Sequence, residues 1–98
     1  MKILALEKVV ENAREKFNPH LKQEALKVWE LQQAGFIREI YFTKEDHTAV
    51  MILECKDSSE AKIILDSLPL VKEKLITFEI KPLVPYDGFK RLLEMNNK

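Results

Sequence analysis

The middle of the chain contains a predicted β-hairpin whose strands are apolar on both sides, and this feature constrains the fold most. Residues 36–43 are rich in aromatic and β-branched side chains, residues 44–47 form a polar turn, and residues 48–55 form the return strand. Residues 49–53 are all apolar, and a strand that is apolar on both faces is usually covered on both. The hairpin therefore predicts a sheet with protein on each side.

The residues before the hairpin predict a strand followed by a helix. Residues 1–8 form the first predicted strand, and residues 9–17 are mostly polar and predict either a loop or a short helical turn. Asn18 followed by Pro19 is typical of a helix start, with Asn18 as the N-cap. Gly35 lies where a glycine would end this helix. The helix carries one apolar stripe, made by Leu21, Ala25, Val28 and Trp29.

The residues after the hairpin predict a second helix and a last strand. Asp57 and Glu60 form a capping-box pattern at the start of a helix that Pro69 limits. Residues 75–83 alternate apolar and polar side chains, which predicts a strand, and residues 89–95 predict a short tail helix. The order β-α-β-β-α-β predicts a ferredoxin-like α+β fold, a four-stranded antiparallel sheet with two helices on one face.

The length and this arrangement predict a single domain over residues 1–98, with residues 85–98 as a C-terminal tail. Two helices cover only one face of such a sheet, yet the hairpin is apolar on both. At roughly 25 cal/mol per Å² of apolar surface, a bare face would cost much stability and solubility. We therefore expect a homodimer in which the sheet of a second copy covers the free face, with aromatic residues of the tail docked on the partner.

The composition excludes several classes of function. The 16 basic and 16 acidic residues cancel, so no basic surplus is present to bind nucleic acid. No stretch is apolar over a length that spans a bilayer, and charged residues follow the first six too early for a signal peptide, which predicts a cytoplasmic protein without membrane contact. Cys55, the single cysteine, ends an apolar run and is predicted to be a buried, unreactive thiol.

Three stretches are similar to the muconolactone isomerase family of small dimeric α+β barrels. They are residues 29–42 (WELQQAGFIREIYF), residues 67–71 (SLPLV) and residues 78–86 (FEIKPLVPY), and with their spacing the resemblance covers about residues 21–89. The resemblance implies two sheets that face each other in a dimer, which can assemble further into a ring. It also implies that the reaction needs no metal or organic cofactor and moves a double bond within an unsaturated lactone by proton transfer.

The resemblance also implies roles for individual residues. Glu24 matches an acidic position on the first helix and is the candidate general base, since burial would raise its pKa toward working pH. Arg38 matches a basic position on the second strand and is the candidate anchor for an anionic substrate group. Tyr41 replaces a larger aromatic residue, and its hydroxyl is a candidate proton partner. Glu39 stands where those enzymes have a histidine.

Two more residues are candidates, each with an ordinary structural alternative. His20 lies four residues before Glu24 on the same helix face and is a second candidate proton partner, although it is also explained as an exposed histidine at a helix start. Trp29 either packs in the core or lines a substrate pocket between helix and sheet. His20, Glu24 and His47 lack the spacing of a metal site, so no metal is predicted.

These observations predict a cofactor-free isomerase that acts by acid–base proton transfer on a small, anionic, unsaturated or lactone-type substrate. Two alternatives stay open. The first is a non-catalytic dimeric module that binds a small molecule. The second is a related dimeric barrel that oxidises small aromatic compounds without a metal, or that binds haem.

Overall fold

A computed structural model describes residues 1–94 of the chain. Its four strands form one sheet in the order β2-β3-β1-β4, and all neighbouring strands are antiparallel. The strands are β1 (Lys2–Val9), β2 (Ile37–Phe42), β3 (Ala49–Glu54) and β4 (Ile76–Pro82). β1 and β3 are the central strands, so β1 is paired on both sides.

Helices connect β1 to β2 and β3 to β4, as the sequence predicted. They are α1 (Leu21–Gln33), α2 (Ser58–Asp66), α3 (Pro69–Lys72) and α4 (Lys90–Glu94), and two 3₁₀ turns precede α1 at Arg14–Lys16 and Asn18–His20. The order and the sheet confirm the ferredoxin-like α+β fold. The predicted tail helix over residues 89–95 corresponds to α4, and its last residue, Met95, lies outside the described residues.

The core lies between the helices and one side of the sheet, which we call the helix face. The largest fully buried side chains are Ile3, Ile37, Met51, Leu53, Leu65, Leu68 and Ile76. Cys55 belongs to the same cluster as a free thiol, which confirms its predicted burial, and this burial raises its pKa. Burial of this apolar surface is the main term that holds the helices on the sheet.

The start of α1 differs from the prediction, while its end agrees with it. The Asn18 side chain caps no helix: Asn18 and Pro19 fold into a 3₁₀ turn, and α1 begins only after His20. At the C-terminus Gly35 has a φ of 89°, and the N–H groups of Gly35 and Phe36 donate to the carbonyl oxygens of Gln32 and Leu31. This is the Schellman motif, for which glycine is the preferred residue.

The second helix begins as the capping box predicted. Asp57 accepts a hydrogen bond from the Glu60 N–H at 2.9 Å, and the Glu60 carboxylate accepts the Lys56 N–H at 2.9 Å. Pro69 ends the predicted helix and also starts α3, because a proline lacks the N–H that the first position of a helix leaves unpaired. The chain therefore turns between α2 and α3 at Ser67 and Leu68.

A β-bulge in β2 overturns the predicted faces of that strand. Ile37 pairs with Leu53 and Glu39 pairs with Ile52, so Arg38 is an extra residue without a partner. As a result Ile37 lies on the helix face and is buried, whereas strict alternation along β2 would put it on the same side as Tyr41.

The side of the sheet opposite the helices, which we call the open face, is apolar at its centre and charged at its edges. Leu4 and Leu6 of β1 lie beside Ile52 and Val50 of β3, and all four are half-buried. Tyr41 extends this patch from β2 and is 59% exposed. Lysine and glutamate side chains surround the patch, namely Lys2, Lys8, Glu39, Glu54, Glu79 and Lys81.

After β4 the chain leaves the body of the molecule as an arm, which we define as residues 83–94. Leu83 still donates its N–H to the Lys2 carbonyl, but the large apolar residues beyond it are exposed, Val84 by 81%. The radius of gyration is 17.0 Å, against about 13 Å for a compact domain of this length. Among residues 1–94, no helix is long and apolar enough to cross a membrane.

Candidate functional site

A cleft of about 870 Å³ opens between α1 and the helix face of the sheet. It lies at the end of the sheet where β1 stops and β3 starts. The 3₁₀ turns before α1 flank the cleft on one side, and the turn between β2 and β3 flanks it on another. Its walls are mostly apolar and include Phe17, Ile40, Met51, Leu70, Ile76 and Phe78. This volume is within the usual range for small-molecule sites.

The apolar stripe of α1 forms one wall of the cleft. All four predicted members of the stripe line it, namely Leu21, Ala25, Val28 and Trp29. Trp29 is 57% exposed, and the only fully buried residue of α1 is Leu31. The periodicity therefore identified the correct face of the helix, but that face borders an open cleft instead of closing onto the sheet.

Glu24 is the half-buried carboxyl group of the cleft. Its Oε1 accepts the N–H of Leu70 at 2.9 Å, at the start of α3, where no side chain of α3 caps the helix. Burial raises the pKa of Glu24; the hydrogen bond from Leu70 offsets part of this effect, and the charge of Glu7 adds to it. The side chain is thus fixed in position, and its pKa is shifted toward neutral pH.

Glu7 is a second carboxyl group in the cleft, and the sequence reasoning missed it. It follows Ile3 and Ala5 on the helix face of the central strand β1, and Phe78 is its partner in β4. Its carboxylate accepts the N–H of Ala49 at 2.5 Å, just beyond the last paired residues of β1 and β3. A signal was present in the sequence, because an acidic residue at an inward position of a strand is unusual.

Arg14, Glu15 and several aromatic side chains flank the mouth of the cleft. Arg14 donates from Nη2 to the carbonyl oxygen of Asp46 at 2.8 Å, and its guanidinium group lies 5.8 Å from the centre of the Phe17 ring. His47, with a φ of 54°, stacks on Phe42 with 3.9 Å between ring centres. The Arg14 bond joins the segment before α1 to the β2–β3 turn across the mouth.

Of the five candidate residues, the structure places two in the cleft and three outside it. Glu24 and Trp29 both line the cleft. His20 lies at the start of α1, its Nε2 3.9 Å from a carboxylate oxygen of Glu73, outside the cleft. Arg38 and Tyr41 are exposed side chains of β2, and neither lines the cleft.

The exposed pair on β2 has its own local contacts. Arg38 donates from Nε to the carbonyl oxygen of Gly35 at 2.9 Å, beside the bulge. Tyr41 lies on the open face, where its hydroxyl donates to Glu39 at 2.8 Å, and this bond and the Glu39 charge raise the pKa of Tyr41. Within residues 1–94, no group of three His, Cys, Asp or Glu side chains is arranged to hold a metal ion.

The arrangement can perform acid–base chemistry on a small molecule. A fixed carboxyl group with a raised pKa is better suited than an ordinary one to accept and return a proton. The apolar walls would exclude water from a bound compound, and Arg14 at the mouth could contact an anionic group of that compound.

Comparison with known proteins places this geometry in a family. A search of curated proteins found no match. One similar solved structure is 5-chloro-2-hydroxyhydroquinone dehydrochlorinase (TftG) from Burkholderia phenoliruptrix AC1100, in complex with 2,5-dihydroxybenzoquinone. It matches with a TM-score of 0.72 and 13% identity, covering 90% of this chain and 98% of the other, which supports the fold alone. The model of the muconolactone delta-isomerase family matches residues 6–88, which include β2, β3, β4, the second half of β1 and the cleft, and the chain therefore belongs to that family.

Proposed function

We propose that this protein is a cofactor-free isomerase that transfers a proton within a small, anionic, unsaturated or lactone-type compound bound in the cleft. The observation that carries the proposal is the position of Glu24, a half-buried carboxyl group held by the Leu70 N–H and facing a largely apolar cavity. Family membership supports proton-transfer chemistry of this kind. The cytoplasmic location predicted from the sequence stays a prediction.

Glu24 is the proposed general base. As a carboxylate it would remove a proton from a carbon next to a conjugated carbonyl, and the electron pair of that C–H bond would enter the conjugated system. Its Oε1 is engaged by Leu70, so Oε2 is the oxygen available to a substrate. The raised pKa brings the base closer to neutral pH, where a general base is most effective.

Trp29 and Phe42 are proposed to contact the flat face of the substrate, because both line the cleft and are more than half exposed. Arg14 is proposed to attract its anionic group at the mouth. The roles of His20, Arg38 and Tyr41 in catalysis or binding stay predictions. Since Arg38 and Tyr41 are exposed on β2, they would meet substrate only if a bound compound or a second copy reached that strand.

We also propose that two copies pair through their open faces. The apolar centre of this face, made by Leu4, Leu6, Val50 and Ile52, is half-buried in one chain although it lies in the middle of the sheet. The charges around it include both lysines and glutamates, so a two-fold axis could bring opposite charges together. A dimer would complete the burial that the two-sided hairpin requires.

The test of the proposed function uses a panel of small unsaturated lactones and hydroxylated quinones, incubated with the protein in heavy water and followed by proton NMR. The quinones are included because the similar dehydrochlorinase was solved with such a compound. We expect the double bond to move and deuterium to enter the carbon at which the new C–H bond forms.

Glu24→Gln should slow this reaction by about 100-fold or more, the contribution of a general base. Glu30→Gln, on an exposed position of α1 outside the cleft, is the matched control and should react normally. If Glu24→Gln turns over at the wild-type rate, the proposed base is wrong. If compounds bind but are recovered unchanged, the protein is a binding module. A coloured purified protein would instead indicate the haem-binding alternative.

A further inference from the structure

We propose that Glu7 is the second catalytic group of the cleft, which returns a proton to the substrate while Glu24 removes one. This inference rests on the proposed function and names the proton donor that the reaction needs. Moving a double bond requires one proton to leave one carbon and another to arrive at a different carbon. In the single chain, the candidate proton partners His20 and Tyr41 do not line the cleft, whereas Glu7 does.

The position of Glu7 suits this role. It projects from β1 toward the cleft, half-buried, and its backbone is paired with Phe78 of β4 on one side. One carboxylate oxygen, Oε1, accepts the Ala49 N–H, which fixes the orientation of the group. Oε2 is then the oxygen available to hold a proton and deliver it. Glu24 is fixed in the same manner by Leu70, from the opposite wall.

The two carboxyl groups face one cleft, so a negative charge on one opposes ionisation of the other. Two carboxylates in one apolar cleft repel each other, and the negative charge of Glu7 contributes, after burial, to the raised pKa of Glu24. Arg14 and Glu15 face the cleft from the segment before α1, and His47 faces it from the β2–β3 turn. All three are exposed at the mouth. α3 contributes the backbone N–H of Leu70.

The proposed step balances when it starts from the form of the pair in which Glu7 carries the one proton and Glu24 is ionised. Glu24, as the carboxylate, takes a proton from the substrate carbon, and the electron pair of the broken C–H bond moves along the conjugated system. At the far end that electron pair forms a new C–H bond with the proton from Glu7. The pair then carries its proton on Glu24 and its negative charge on Glu7. Transfer of one proton between the two groups, directly or through water, restores the starting state without any other reactant.

The first experiment needs no substrate. Side-chain carbon-13 NMR of glutamate-labelled protein follows the titration of the Glu24 carboxyl carbon in wild type, Glu7→Gln and the control Glu30→Gln. A glutamine at position 7 can still accept the Ala49 N–H, so the strand end should remain folded. We expect the Glu24 midpoint to move to lower pH in Glu7→Gln and to stay in place in Glu30→Gln. An unchanged Glu24 midpoint in a folded Glu7→Gln protein would overturn the coupling between the two carboxyl groups that the proposal requires.

The second experiment separates the two proton transfers, using any compound of the panel that reacts. In Glu7→Gln, deuterium should still enter the carbon next to the carbonyl, because Glu24 is intact, while movement of the double bond falls by about 100-fold or more. In Glu24→Gln, the rate of deuterium entry and the rate of double-bond movement should both fall. Normal double-bond movement in Glu7→Gln would overturn the role of Glu7 while leaving Glu24 as the base. Normal reaction in Glu24→Gln would overturn the proposed function itself.

Thermal unfolding of each variant checks that the fold is kept. If Glu7→Gln unfolds at the working temperature, Glu7→Asp replaces it. That variant keeps a carboxyl group but shortens the side chain by one methylene, so the proton is delivered from a more distant position. We expect Glu7→Asp to keep deuterium exchange and to lose most double-bond movement. Full double-bond movement in a folded Glu7→Asp protein would contradict a donor whose position is fixed by Ala49.

Discussion

The carboxylate of Glu24 accepts the backbone N–H of Leu70 at 2.9 Å, so the candidate base also holds the start of a helix. Leu68, the residue that precedes α3, is apolar, and no side chain within α3 satisfies the first N–H groups of that helix. Glu24 supplies this hydrogen bond from α1. The same contact therefore joins two helices and orients the group on which the proposed reaction depends.

The first prediction concerns the stability that this contact provides. Glu24→Ala should lower the free energy of unfolding by about 1–2 kcal/mol, because it leaves the N–H of the buried residue Leu70 without a partner. Glu24→Gln should not show this loss, since its amide oxygen can accept the same bond. Urea unfolding at neutral pH measures the free energy of unfolding of both variants. Equal losses in the two variants would mean that the hydrogen bond contributes little.

The second prediction concerns the pH dependence of stability. Because burial raises the pKa of Glu24 in the folded state, the folded chain binds a proton more tightly than the unfolded chain. The stability that this proton provides is fully present below the ordinary value of 4.5 and is lost as the pH rises through the raised value. The free energy of unfolding of wild type should therefore fall relative to Glu24→Gln over that window.

Denaturant unfolding of wild type and Glu24→Gln, repeated from about pH 4 to about pH 8, tests this sign. We expect the difference in free energy of unfolding between the two proteins to grow with pH. It should level off once Glu24 is ionised in both the folded and the unfolded state. A constant difference across the range would show that folding does not change the proton affinity of Glu24.

The sequence predicted the elements well because their signals are local. Asp57 with Glu60 and Gly35 mark helix ends through their own backbone neighbours, and the structure has both motifs. The alternation predicted for residues 75–83 is also present in β4, where Ile76 and Phe78 lie on the helix face. Patterns of this kind depend on residues a few positions apart, so a single sequence contains them.

The incorrect predictions concern features whose structure depends on residues that are distant in the sequence. The bulge at Arg38 depends on how β2 pairs with β3, and one unpaired residue is enough to change the side on which Ile37 lies. Asn18 does not cap a helix because the chain forms a 3₁₀ turn there. The inward direction of Glu7 was readable from alternation with Ala5, but its meaning depends on Glu24, which comes from another element.

The third prediction tests the proposed dimer. Ile52→Lys places a charge at the centre of the open face, beside Leu4, and should convert a dimer into a monomer in sedimentation experiments. Ile63→Lys is the matched control, since Ile63 is an exposed residue of α2 on the opposite side of the sheet, and it should leave the mass unchanged. A wild-type protein that is a well-folded monomer in dilute solution would contradict the pairing of open faces.

The fourth prediction concerns the arm. Ending the chain after Val84 keeps the bond between Leu83 and Lys2 but removes large exposed apolar side chains, namely Tyr86, Phe89, Leu92 and Leu93. Because these residues contribute little to the core of their own chain, thermal unfolding of the body should change little at high protein concentration. Dimer dissociation should become easier, as measured by dilution in sedimentation experiments. Ending the chain after Glu94 is the control, and unchanged dissociation after Val84 would show that the arm does not contact the partner.

The fifth prediction decides between two candidate anion anchors. Arg14 lines the mouth of the cleft, whereas Arg38 lies outside it and donates to Gly35. A charge-assisted hydrogen bond is worth about 1.5–3 kcal/mol, so Arg14→Gln should weaken binding of a lactone carboxylate by roughly tenfold or more. It should affect the uncharged methyl ester of the same lactone much less. Titration calorimetry of both ligands with Arg14→Gln and Arg38→Gln makes the comparison. Selective loss of carboxylate binding in Arg38→Gln alone would instead favour Arg38, and would mean that the substrate reaches β2 in the assembled protein.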